Sequence, residues 1–118
     1  MNEDCFVVRK ATNDDIPFII RNVERLYTVR WPFVSARRSR HDIENWIIDL
    51  VRSVPGLGCV SILIHKDHPK AIIACACHTK DTIMVLFSRK ELENLGYEEI
   101  LRKKIGIMDF DERFKRLI

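Results

Sequence analysis

Apolar residues recur at spacings of three and four in the first half of the chain and gather into short β-branched runs after Gly58. That change of period divides the sequence into elements. Cys5 to Lys10 ("CFVVRK") predicts a short strand. Ile16, Ile19, Ile20, Val23, Leu26 and Tyr27 then predict a helix to about Tyr27 with that stripe inward. Thr12 or Asn13 is placed to cap it, and Asp14 and Asp15 suit its electropositive first turn. Ile43, Trp46, Ile47, Leu50 and Val51 predict a second helix, capped by Ser39 and ending near Pro55. Further on, Cys59–His65 and Ala71–His78 flank the polar turn "KDHPK" and predict an antiparallel hairpin. Asp81–Ser88 reads as a third strand, or as a stretch turning helical before its end. "RKELENLG" reads as a short helix stopped by Gly96, "YEEILRKK" fits strand or helix, and "DFDERFKRLI" is an amphipathic tail with Phe110, Phe114 and Leu117 on one side. No repeat or linker divides residues 1–118, which form one domain.

The stretch "PGLG", Pro55 to Gly58, raises the question of a phosphate-cradling loop. Such a loop opens a helix, whose first N–H groups and dipole hold the anion. Here the glycines close a helix and open a strand, so the expected role is a turn, with Gly56 or Gly58 supplying the left-handed residue at the helix end.

Composition narrows the class without naming a function. The chain is 47% hydrophobic and 31% charged with 4 glycines and 4 prolines, which describes a globular protein rather than a disordered one. No apolar run reaches the roughly 20 residues of a membrane span, and "MNEDCFVVRK" is acidic where a signal peptide is basic. The expected location is the cytoplasm, with no membrane partner. The net charge of +3 is modest, but Arg30, Arg37, Arg38 and Arg40 cluster with Trp31 and Phe33, a composition that can hold a partner surface or nucleic-acid phosphates and bases. A solvated interhelical loop is the plainer reading of the same residues.

Cysteine and histidine give no metal site by spacing. Cys59, Cys75 and Cys77 lie in apolar strand-like runs and read, with Cys5, as free thiols. In "CACH", Cys75 and Cys77 share one strand face and His78 takes the other, and no second ligand pair at zinc spacing exists. His41, His65, His68 and His78 read as solvated loop or strand-end residues.

Taken in order, these segments resemble the GCN5-related N-acetyltransferase (GNAT) family. "FVVRKATNDDIPFIIRNVERLY" is similar to that family's opening "IRPAT-x-x-D-hydrophobic-P" strand and helix. "GLGCVSILIHKDHPKAIIACA" is similar to its next strands, and "ELENLGYEEI" to its late "YeklGFe" segment, with Gly96 and Tyr97 in place of Gly-Phe. The short length is similar to that of small phage-encoded GNAT-like proteins. The resemblance implies an α+β fold with a mostly antiparallel central sheet, two N-terminal helices on it, and a truncated coenzyme-binding half.

The departures shape the expected function. Working members hold acetyl-CoA by an "R/Q-x-x-G-x-G/A" loop after the fourth strand, and "SRKELENL" between Phe87 and Gly96 has no glycine. The loop, its helix and the next strand are therefore expected to be missing. The sheet edge so exposed favours self-association or cover by the tail from Asp109. Matching the late segment also puts Leu92 where many members carry a general-acid Tyr, and leaves Glu44, Asp81 and Glu98 as surface charges.

Two functions are compatible with these residues. One is a non-catalytic binding module with no cofactor, its protein partner held by Arg30, Trp31, Phe33, Arg37, Arg38 and Arg40, with nucleic acid as a weaker alternative for the same residues. The other is a divergent acetyl-CoA-dependent N-acetyltransferase, in which Ser88 caps a helix and Arg89 and Lys90 meet the coenzyme phosphates.

Overall fold

The computed structural model describes residues 3–30 and 40–110, apart from the side chains of residues 26–30 and of residue 40. Its elements are β1 (Phe6–Lys10), α1 (Ile16–Arg30), α2 (Arg40–Val51), β2 (Cys59–His65), β3 (Ala74–His78), β4 (Thr82–Ser88), α3 (Tyr97–Ile105) and β5 (Asp109–Phe110). The strands form one sheet in the order β1-β2-β3-β4-β5. The first three pairings are antiparallel and the last, β4 with β5, is parallel. This is the α+β architecture with a mostly antiparallel sheet that the sequence order implied.

Strand alternation sends side chains to two faces, and each face is covered by different helices. Ile19 and Val23 of α1 and Ile43, Ile47 and Leu50 of α2 pack on Val60, Ile62, Ile64, Cys75, Cys77, Val85 and Phe87. The stripes predicted for both helices therefore do face inward, and burying each such Ile, Leu or Phe is worth about 1.5–3 kcal/mol. On the other face Ile100 and Leu101 of α3 meet Phe6, Leu63, Ala74 and Ala76. The two alanines leave α3 room to approach the sheet.

The junction between β1 and α1 is closed by its own side chains. Arg9 reaches Asp15 with two hydrogen bonds, from Nη1 to Oδ2 at 2.7 Å and from Nη2 to Oδ1 at 3.0 Å. The Thr12 backbone N–H donates to Asp15 Oδ2 at 2.7 Å, and its hydroxyl reaches the same oxygen at 3.2 Å. Burial alone would raise the Asp15 pKa, but the Arg9 and Thr12 hydrogen bonds and the Arg9 charge outweigh it, so the carboxyl is held below its ordinary value.

Several boundaries differ from the expectation, each for a local reason. α2 ends at Val51 rather than near Pro55, and the left-handed residue at its end is Ser53 (φ 56°), not Gly56 or Gly58. The Val54 N–H donates to the Asp49 carbonyl at 3.1 Å, the wrap-around bond of a Schellman ending. "PGLG" is indeed a turn, but Gly58 serves close approach: a Cβ there would lie 2.4 Å from the His78 carbonyl oxygen. β3 begins at Ala74 rather than Ala71. "RKELENLG" holds only a 3-10 turn over Lys90–Leu92, and "YEEILRKK", which fitted strand or helix, lies within helix α3. Ser39 and the tail beyond Phe110 lie outside the described residues.

The chain departs furthest from expectation after β4. The helix and strand expected to be missing there are present as α3 and β5, and β5 runs parallel beside the start of β4, Thr82 opposite Asp109 and Ile83 opposite Phe110. A parallel neighbour requires a crossover, and α3 makes it. In β4 itself Cys77 faces Val85 while His78 faces Ile83, so Met84 is an extra, bulged residue.

Candidate functional site

The turn from β4 into α3 occupies the place where the sequence resemblance puts a coenzyme loop. Gly96, not a glycine-rich run, makes the turn: it precedes α3 in the left-handed conformation, φ 92° and ψ 3°, with no side-chain cap on the helix. "ELENLGYEEI" is thus the entry to the helix after the fourth strand, and its match to a later family segment is overturned. The general-acid comparison at Leu92 falls with that alignment.

Each sequence-predicted residue of this region has a definite place. Ser88 is the buried last residue of β4, not a helix cap, and its hydroxyl has no hydrogen-bond partner among the described residues. Arg89 Nε donates to the Ile72 carbonyl at 2.8 Å, and its guanidinium lies 4.8 Å from the centre of the Phe18 ring. Arg89 is therefore tied into the scaffold, gripping the β3 approach and α1 together. Lys90 is exposed in the 3-10 turn. Glu93 pairs with Arg25 of α1 at 2.9 Å, which fastens the same loop a second time.

Electrostatics at the helix entry oppose an anionic ligand. The first turn of α3 carries Glu98 and Glu99, and its last turn Arg102, Lys103 and Lys104. That distribution answers the helix dipole with the chain's own charges, which stabilises α3 and sets two carboxylates where a phosphate would sit. The sequence carried this signal in "GYEEILRKK", once Gly96 is read as a start rather than a stop.

The Arg-aromatic segment cannot be joined to this site. Trp31, Phe33, Arg37 and Arg38 lie outside the described residues, and of Arg30 and Arg40 only the backbone is described, ending α1 and opening α2.

A second cluster was not foreseen. His78 is buried, against the expectation of a solvated residue. Its Nδ1 lies 2.8 Å from the Thr79 carbonyl oxygen and its Nε2 2.7 Å from Ser61 Oγ. Cys59 Sγ lies 3.6 Å from the same Nε2. The hairpin register that sets Cys59 opposite His78 brings these residues together; drawing that register on the sequence would have found them. All four cysteines are free thiols. Among the described residues no three His, Cys, Asp or Glu side chains gather where they could hold a metal ion, and no helix is long and apolar enough to cross a membrane.

Comparison with known proteins adds little to this geometry. No protein-family model matches the chain, and no curated protein does. Among solved structures, a "putative acetyltransferase" from Pyrococcus horikoshii aligns over 100% of this chain with 16% identity and a TM-score of 0.48. The chain spans 37% of that protein's length.

Proposed function

We propose that this chain is a non-catalytic interaction module on a GNAT-like scaffold, which binds a protein partner and no coenzyme. The observation that carries the reading is the acidic, fastened entry to α3. A coenzyme pyrophosphate needs free N–H groups and positive potential at that point. Here Glu98 and Glu99 stand in the first turn, and Arg89 and Glu93 tie the preceding loop to Ile72, Phe18 and Arg25. A fold outlives its chemistry readily, because its core residues are not its chemical ones. The contact residues under this reading are Arg30, Trp31, Phe33, Arg37, Arg38 and Arg40, whose guanidinium and aromatic groups suit an acidic protein surface.

One observation favours a second reading, the divergent acetyl-CoA-dependent N-acetyltransferase. The β4–α3–β5 unit keeps two parallel strands side by side, paired over Thr82–Ile83 and Asp109–Phe110, next to the bulge at Met84. Strands joined only at their starts are able to diverge and admit a ligand between them. In that reading exposed Lys90 remains available for a phosphate, whereas Ser88 and Arg89 are already committed to the interior and to Ile72.

Calorimetric titration with acetyl-CoA, and separately with CoA, decides between the two. The interaction module gives no heat of binding at millimolar ligand. Micromolar affinity, about −8 kcal/mol, overturns it in favour of the enzyme. Nucleic acid at the arginine-rich segment is tested by mixed-sequence DNA and RNA, whose binding must weaken steeply with salt if phosphates are being neutralised.

A further inference from the structure

From the hydrogen bonds around His78 we infer that Cys59 and His78 form a nucleophile–base pair, and that Cys59 is the site at which this protein exchanges with small disulfides. The partners fix the tautomer. The Thr79 carbonyl only accepts, so His78 Nδ1 carries the proton and donates across 2.8 Å. Nε2 then presents its lone pair to the two donors beside it, the Ser61 hydroxyl at 2.7 Å and the Cys59 thiol at 3.6 Å. A base fixed by a third group and aimed at a nucleophile is the arrangement nucleophilic catalysis requires.

Cys59 is the member of the cluster that a reagent reaches. Ser61 and His78 are buried, at 8% and 7% exposure, while Cys59 is only partly covered. Burial pushes the Cys59 thiol up, the neighbouring Lys10 charge pulls it down, and Cys77 adds to the rise; the net shift is upward. The thiol is therefore protonated at neutral pH, and its reactivity depends on a base that removes the proton as the new bond forms. Of the other cysteines, Cys75 and Cys77 are fully buried on the opposite face. Cys5 is partly covered like Cys59 and serves as the internal control.

The exchange balances within the pair and its reagent. Cys59 Sγ attacks one sulfur of the disulfide as His78 Nε2 takes the thiol proton. The Sγ–S bond forms, the reagent's S–S bond breaks, and the departing thiolate recovers the proton from His78. Cys59 is oxidised to a mixed disulfide and the leaving sulfur is reduced to a thiol. Ser61 competes for the same lone pair, so its hydroxyl restrains the base.

The test is peptide-mapped mass spectrometry of the full chain during incubation with glutathione disulfide at constant neutral pH. Cys59 is expected to form the mixed disulfide on the order of tenfold or more faster than Cys5, and His78→Gln to bring it down to the Cys5 rate. Ser61→Ala is expected to raise the Cys59 rate several-fold, a gain that lost packing would not confine to Cys59 while Cys5 stays constant. Equal rates at Cys59 and Cys5 in the unaltered chain overturn the pair, as does an unchanged Cys59 rate in folded His78→Gln. If His78→Gln does not fold, the unaltered chain and Ser61→Ala decide the matter.

Discussion

Two strands in this protein hand over to helices, β1 to α1 and β4 to α3, and they treat the exposed N–H groups of a helix start in opposite ways. At the first, a buried carboxylate, Asp15, accepts from Thr12 and is held by Arg9. At the second, a glycine makes the turn without a side-chain cap, and the acids stand inside the helix, at Glu98 and Glu99. Both starts are answered by the chain's own negative charge. A helix N-terminus is an anion site only where the sequence leaves its positive end unanswered, and neither of these does.

The largest expected break in the comparison is Asp15→Ala. It strands the Arg9 guanidinium and removes the hydrogen bonds at Thr12, for a loss of about 2–3 kcal/mol and a melting temperature lower by roughly 10 °C. A thermal melt within about 2–3 °C of the parent would mean that the junction is held by packing alone.

Acid should reproduce part of that loss without mutation. Because Asp15 is held below its ordinary value of 3.8 in the folded chain, its stabilising contribution is complete above that value. It is lost as pH falls from there through the lowered folded value. The parent should therefore lose melting temperature more steeply than Asp15→Asn across that acid range, and parallel curves would remove Asp15 from the account.

The β4–α3 junction should be the more tolerant of the two. A Cβ at Gly96 meets open space, so Gly96→Ala costs only the left-handed backbone, about 1 kcal/mol by chemical denaturation. A loss several times larger would reveal contacts at the turn beyond its backbone. Smallest of all, Glu98→Gln with Glu99→Gln should weaken α3 by about 0.3–1 kcal/mol per acid. The same double variant should gain measurable affinity for inorganic pyrophosphate. No gain would show that the fastened loop, rather than the charge, keeps anions out.

The contrast between the junctions also explains what was legible in the sequence. α1 and α2 could be read because their apolar spacing is long and regular, and β2 because Cys59–His65 is an unbroken apolar run ahead of a polar turn. α3 carries the same signal in Tyr97, Ile100, Leu101 and Ile105, but over nine residues. Gly96 before it fits a helix stop as well as a start, so the local pattern had two solutions. Only the pairing of β5 beside β4 separates them, and that is a long-range fact. Ser53 was hidden for a different reason: serine seldom adopts the left-handed conformation, and two glycines just beyond it were the obvious candidates. The Cys59–Ser61–His78 cluster was hidden because no local spacing joins residues on two strands; their meeting depends on hairpin register.

The order of the strands carries one more consequence, for the time course of synthesis. β2, β3 and β4 each pair with the element made immediately before or after them, across short turns. β1 is made first, yet Lys10 pairs with Ser61, on a strand that leaves the ribosome only after both helices have been added. The first five-residue strand therefore waits unpaired while the rest of its sheet is made. Closing so long a loop comes late, so β1 amides should be the last in the sheet to gain protection in pulse-labelled hydrogen exchange during refolding. Early protection of Val7 and Arg9 would mean that the helices hold β1 in place before its partner arrives.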